Sequence, residues 1–120
     1  ANRIVIAIDV LDEVIKYSGW MESSPIKLMD YVDKCLSLGF FRFLCTDISK
    51  DGTLQGPNVA LYAELVQKYP QIQWQASGGV GSLADIKALK PTGVAGVILG
   101  RALLEGKFTA EEAIQCWQDA

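Results

Sequence analysis

Apolar and polar residues are arranged in blocks along this chain. Ile4 to Ile8 is a nearly unbroken apolar run ended by Asp9, and Phe40 to Cys45 repeats the pattern before the polar stretch Thr46 to Thr53. Ile72 to Ala76 is closed by Ser77-Gly78-Gly79-Val80-Gly81, and Val94 to Leu99 runs into Gly100-Arg101. Short apolar runs bounded by turn residues predict buried strands that feed loops. The first run lacks a two-residue alternation, which predicts a strand covered on both faces, as in parallel sheets.

Helical spacing follows each strand. Ser24-Pro25 reads as an N-cap followed by proline at the first helical position. Beyond it Ile26, Met29, Val32 and Leu36 recur at helical intervals with Tyr31 and Cys35, and Gly39 marks the stop. Asn58 is placed to cap a helix carrying Val59, Tyr62, Leu65 and Val66, ended by Tyr69-Pro70. Ser82 does the same for Leu83, Ile86 and Leu89. A helical turn is expected around Ala102 to Glu105, and Thr109 with Glu112 forms a capping box ahead of Ala113, Ile114 and Trp117. Val10 to Glu22 reads as irregular, with Ser18-Gly19-Trp20 its most distinctive part. The pattern gives four strand–loop–helix units of about 30 residues, the size of a βα unit.

Four such units is an awkward number. A full (β/α)8 barrel needs about 200 to 250 residues, and this sequence of 120 residues supplies half of one. A half barrel on its own leaves two open sheet edges and an uncovered inner face, both prone to association. The expected partner is therefore an N-terminal half barrel or a second copy of the chain.

Composition narrows the function classes. Half the residues are apolar and 21% are charged, in keeping with a soluble globular protein. The net charge of -3, with no basic stripe interleaved with aromatics, argues against nucleic-acid binding. No apolar run approaches the roughly 20 residues that span a bilayer. Ala1-Asn2-Arg3 leads into a strand-like run without a signal-peptide layout, so a cytoplasmic protein is expected. Cys35, Cys45 and Cys116 are widely spaced and odd in number, which suggests reduced thiols and neither a disulfide frame nor a metal site. The sequence contains no histidine. Proton transfer must then fall to carboxylates, Lys, Tyr or Cys.

The candidate chemistry lies in the loops after the strands, the rim where parallel α/β proteins bind ligands. Asp9 ends the first strand and Asp51 lies in the loop after the second; two carboxylates at one rim suit acid–base work. Ion pairing or capping would equally account for Asp9, and an Asx-type turn for Asp51-Gly52. Thr46 could donate to a substrate hydroxyl or be a satisfied core hydroxyl, and Asp47 reads as structural hydrogen bonding. Glycines in Ser77 to Gly81 let backbone N–H groups approach an anion, and Gly100-Arg101 repeats the arrangement one unit later. Together these two loops point to phosphate more strongly than to tight turns. Trp20 is either a substrate platform or a loop anchor, and Cys45, without a basic neighbour, reads as core.

The segments CTDISKDGTLQGPN (45–58), ASGGVGSLADI (76–86) and GVILGRALLEGKFT (96–109) resemble the C-terminal half of the phosphoribosylformimino-AICAR isomerases of histidine biosynthesis. The resemblance covers nearly the whole chain. The sister cyclases share the DGT loop, but the last segment and Gly19-Trp20 fit the isomerases better. What the resemblance implies is a cytosolic, cofactor-free, metal-free (β/α)8 barrel acting on a bisphosphorylated ribonucleotide. It performs an Amadori rearrangement of an aminoaldose to an aminoketose. Asp9 matches the rim aspartate taken as the general acid, with Asp51 its competitor, and Thr46 matches a substrate-contacting threonine. Ser77, Gly78, Gly79, Gly100 and Arg101 fall in one phosphate site, and Trp20 matches a mobile-loop tryptophan. The base and a second phosphate site belong to the family's N-terminal half. The segment Val10-Leu11-Asp12-Glu13-Val14 departs from relatives that carry an arginine and a longer loop there. Competing expectations are a cyclase-type or dual-substrate histidine/tryptophan isomerase half barrel, and a non-catalytic phosphate-binding half barrel.

Overall fold

The structure is a computed structural model that describes residues 3–12, 14–16 and 26–120. Six strands, β1 (Ile6–Leu11), β2 (Val14–Lys16), β3 (Ile26–Lys27), β4 (Arg42–Asp47), β5 (Gln73–Ser77) and β6 (Gly96–Val97), form one sheet in the order β3-β2-β1-β4-β5-β6. β1, β4, β5 and β6 run parallel, while β1, β2 and β3 pair antiparallel. The helices are α1 (Leu28–Ser37), α2 (Val59–Lys68), α3 (Leu83–Leu89), α4 (Arg101–Leu104) and α5 (Ala110–Asp119), with a 3-10 turn at Lys90–Thr92. This is an α/β fold built on a parallel-rich sheet.

Topology decides which face is covered. Each parallel strand is added on the same side of its predecessor, and crossovers between parallel strands are right-handed. The connecting helices must then all pack on one face. The core follows from this: Ile8, Val10, Phe43, Cys45, Trp74 and Ala76 from the strands meet Leu28, Val32, Leu61, Tyr62, Leu65, Ile86 and Leu89 from the helices. Alternate residues face the other way and are far less covered. Ala7, Asp9, Arg42 and Gln73 are exposed, and Leu44, Gln75 and Ser77 are partly so.

This corrects the expectation for the first strand. β1 is covered on one face only, and it continues through Asp9 to Leu11, so Asp9 sits within the strand and not at its end. β4 is likewise shifted toward its loop and includes Thr46 and Asp47. The start of the segment read as irregular is a hairpin, with Asp9 to Leu11 paired to Val14 to Lys16 and Asp12 at φ 52° in its turn. β6 is shorter than the apolar run predicts, because only β5 pairs with it among the described residues. Hydrogen bonds from Ala95 to Trp74 and from Ile98 to Ala76, at 2.7 and 2.8 Å, extend that pairing on either side. The expected cap at Ser24-Pro25 lies outside the described residues; α1 starts at Leu28 after Lys27, without a side-chain cap.

The other capping expectations hold. Asn58 Oδ1 accepts from the Leu61 N–H at 3.1 Å, and Ser82 Oγ from that of Asp85 at 3.3 Å. Both arms of the Thr109–Glu112 box are formed, at 2.8 and 3.1 Å. All three cysteines are unpaired. Among the described residues no helix is long and apolar enough to cross a membrane.

Phe43 and Trp74, with ring centroids 5.2 Å apart, form the centre of the covered face, and both are essentially fully buried. Phe43→Ala should cost about 3–5 kcal/mol in urea unfolding, the range for an aromatic cavity. Leu104→Ala, at a side chain 88% exposed, should change stability by less than about 0.5 kcal/mol.

Candidate active site

Parity along the strands separates the site from the core. Asp9 pairs in register with Thr46, and Thr46 with Ser77. The three therefore stand side by side on the open face, near the ends of adjacent parallel strands. Coverage peaks in the middle of this row. Asp9 is exposed, Ser77 is half-buried, and Thr46 retains only 9% of its surface.

Val10 and Asp47, next along their strands, turn to the opposite side. Burial alone would push the Asp47 carboxyl up. Hydrogen bonds from Ser49 Oγ (2.6 Å), Asn58 Nδ2 (2.7 Å) and the Ser49 N–H (2.9 Å), with the charge of Lys50, outweigh it and hold the group below the usual carboxylate range. The Asp47 carbonyl accepts from the N–H groups of Lys50 and Asp51, at 3.0 and 3.1 Å. These bonds fold the loop after β4 into a tight turn that leaves Asp51 exposed at its tip. The structural reading of Asp47 is correct in every contact it makes.

The glycine loop after β5 is shaped by the loop after β4. Gly78 and Gly79 have φ of 103° and 90°, a region that disfavours side chains. A Cβ at Gly78 would meet the Asp47 carbonyl oxygen at 2.9 Å. The Gly56 N–H donates to the Gly79 carbonyl at 2.8 Å, locking the two loops together. Among the described residues, the N–H groups of Gly78, Gly79, Val80 and Gly100 donate to no protein acceptor.

A cavity of about 110 Å³ gathers Ser77, Gly78, Gly79, Gly100 and Arg101, together with Asp51 and Gly52. The Arg101 guanidinium donates to the Gly52 carbonyl and pairs with the Glu105 carboxylate, so it bridges from α4 to the loop after β4. Unpaired N–H groups beside a guanidinium suit an oxyanion such as phosphate. Asp9 and Thr46 do not line this cavity; they belong to the adjoining row. Trp20 lies outside the described residues. Burial pushes the Cys45 thiol up to about 12, helped by the charges of Asp47 and Asp9, which makes it an inert core group.

Sequence reasoning missed two features. One is the hold of the loop after β4 on the glycine loop, through the Gly56–Gly79 bond and the close approach of the Leu54 carbonyl to Gly81. The other is the hydroxyl of Tyr62, which reaches from α2 to the ends of β4 and β5. Its helical spacing marks Tyr62 as core, and only the polar tip of the residue hints at more.

The class these features define is an α/β protein with a parallel-rich sheet and two glycine-bearing loops gathered at one rim. The chain belongs to the histidine biosynthesis protein family, whose profile matches residues 1–109. It is similar to enzymes named 1-(5-phosphoribosyl)-5-((5-phosphoribosylamino)methylideneamino)imidazole-4-carboxamide isomerase. That of Vibrio cholerae serotype O1 is 56% identical over 124 residues, covering 99% of this chain and 51% of the relative. The Colwellia psychrerythraea enzyme is 58% identical over 121 residues, covering 97% and 46%. The Tolumonas auensis enzyme is 56% identical over 125 residues, covering 100% and 51%. The chain thus spans about half the length of the curated relatives it matches.

The Asp47 network generates a pH dependence. Its carboxyl is depressed in the folded state, so the stability it contributes is complete above the unfolded value of about 3.9. That contribution is lost as pH falls from there through the lower folded value. Urea midpoints of the wild type should therefore drop over this acid window, and those of Asp47→Asn should start lower and drop less.

Proposed function

We propose that this chain is the C-terminal half, βα units 5 to 8, of a (β/α)8 isomerase barrel. The complete barrel converts the phosphoribosylformimino aminoaldose of histidine biosynthesis to its aminoketose. One observation carries this reading. The Asp9–Thr46–Ser77 row and the Gly78–Gly79–Gly100–Arg101 cavity adjoin at one rim, in a chain more than half identical to enzymes with that printed activity.

The chemistry follows from these groups. Asp9, or Asp51 from the loop tip, protonates the ring oxygen of the aminoaldose as the ring opens to a Schiff base. A base in the other half then takes the C2 proton, and the enolamine relaxes to the ketose. Hydrogen moves within one molecule, so no external oxidant or reductant enters the balance. Thr46 donates to a substrate hydroxyl. The free N–H groups of the two loops, with Arg101, hold one of the two phosphates. The open face of the sheet receives the N-terminal half. Partial exposure of Ile98 and the two-residue length of the edge strand β6 fit that docking.

On its own the chain should give no measurable turnover of the aminoaldose, and adding the N-terminal half of the Vibrio cholerae relative should restore it. In that assembled barrel, Asp9→Asn should lower kcat by roughly 10²–10⁴-fold with little change in KM, the range for a positioned acid. If Asp51 is the acid, Asp51→Asn shows that loss and Asp9→Asn mainly raises KM. Equal, modest effects from both would remove the acid assignment.

Inorganic phosphate added to the 120-residue chain should shift the amide NMR signals of Gly78, Gly79, Gly100 and Arg101 first. Shifts confined to other residues would exclude this cavity as a phosphate site.

A further inference from the structure

Thr46 is the most enclosed member of the open-face row, and both of its neighbours in sequence are held from behind by a single helix. Asp47 is held through Asn58 Nδ2, the cap of α2, at 2.7 Å. Cys45 is held through Tyr62, one turn further along. The Tyr62 hydroxyl accepts from the Ser77 N–H at 3.2 Å and faces two carbonyl oxygens, that of Ser77 at 2.7 Å and that of Cys45 at 2.8 Å. A hydroxyl has one proton, so it serves one carbonyl at a time. It stands between the backbones of β4 and β5 at the level of the Thr46–Ser77 pair.

Tyr62 is fully buried on the covered side of the sheet, so it touches no ligand on the open face. Burial also pushes its hydroxyl far above the usual phenol range, which keeps the donor proton in place. Buried hydrogen bonds of this kind are costly to leave unmade. The strand ends are therefore confined to a spacing that the hydroxyl can bridge.

We infer that Tyr62 is a positioning residue: its hydroxyl sets the spacing and orientation of Thr46 and Ser77 at the rim, and through them the placement of the bound substrate. The inference rests on the site reading proposed above.

Tyr62→Phe removes only the hydroxyl. Tyr69→Phe is the control, since Tyr69 is also buried and its hydroxyl donates to Asp33 or the Met29 carbonyl, away from the rim. Both variants should lose similar stability in urea. In the assembled barrel, Tyr62→Phe should lower kcat by roughly 10- to 100-fold, exceeding any rise in KM, and Tyr69→Phe by less than about twofold. In the 120-residue chain, Tyr62→Phe should weaken inorganic phosphate binding, and Tyr69→Phe should not. If Tyr62→Phe does not fold, Asn58→Ser is read in its place. It keeps a capping oxygen but releases Asp47, and it should show the same fall in kcat. A functional wild type in which Tyr62→Phe, or Asn58→Ser in its place, behaves like Tyr69→Phe overturns the inference alone. A wild type with neither turnover nor phosphate binding overturns the site reading and this inference with it.

Discussion

The handedness of the crossovers governs this structure. Because β1, β4, β5 and β6 are laid down in one direction, right-handed connections stack α1, α2 and α3 on one face. Each strand residue is then assigned to core or rim by parity alone. Cys45 and Asp47 face the helices, and Thr46 between them faces outward. Ala76 is core and Ser77 faces outward. A register slip of one residue would exchange the two sets, placing Asp9 against the helices and Val10 in solvent. Burial of Ile8, Val10, Phe43 and Trp74 makes that exchange prohibitive, so the core fixes the site.

The rim is then assembled by backbone as much as by side chains. Asp47 uses its carboxylate on Ser49 and Asn58 and its carbonyl on the next turn. The Gly56 N–H is spent on the Gly79 carbonyl, and Gly78 comes too close to Asp47 for any side chain. These contacts hold the Gly79 carbonyl and, among the described residues, leave the N–H groups of Gly78, Gly79 and Val80 without a protein acceptor. An array of donors without acceptors is unfavourable when enclosed, and an anion relieves it. Under the proposed reading the glycines serve turn geometry and anion binding together. Those were competing readings of the sequence, yet the geometry makes them compatible.

Much of this was legible beforehand. The apolar runs, the Asn58 and Ser82 caps and the Thr109–Glu112 box follow from local chemistry, and local chemistry is what a sequence displays. Asp47 was recognisable as structural because a buried aspartate at a strand end must find donors. One-sided coverage was not legible in Ile4 to Ile8, because Ile4, Val5 and Ala7 are apolar yet exposed. Their parity becomes visible only once the sheet order is known. The interlock of Gly56 with Gly79 joins residues 23 positions apart, and the Tyr62 hydroxyl meets Cys45 and Ser77 across 17 and 15. Neither contact has a periodic signature. Both depend on β4 and β5 already being paired.

The exposure of the open face also bears on the acid. A carboxyl group that must give up a proton near neutrality needs an environment that disfavours its charge, and withdrawal from water is the most general way to supply one. Asp9 stands on a face bordered by Ala7 and Leu44 but open to solvent. The sheet therefore provides apolar flanks without a lid. Under the proposed reading, the docking half supplies that lid together with the base and the second phosphate site. The same surface that would otherwise promote association then becomes the lining of the barrel. Under that reading, the contact that buries the inner face is also the contact that withdraws Asp9 from water.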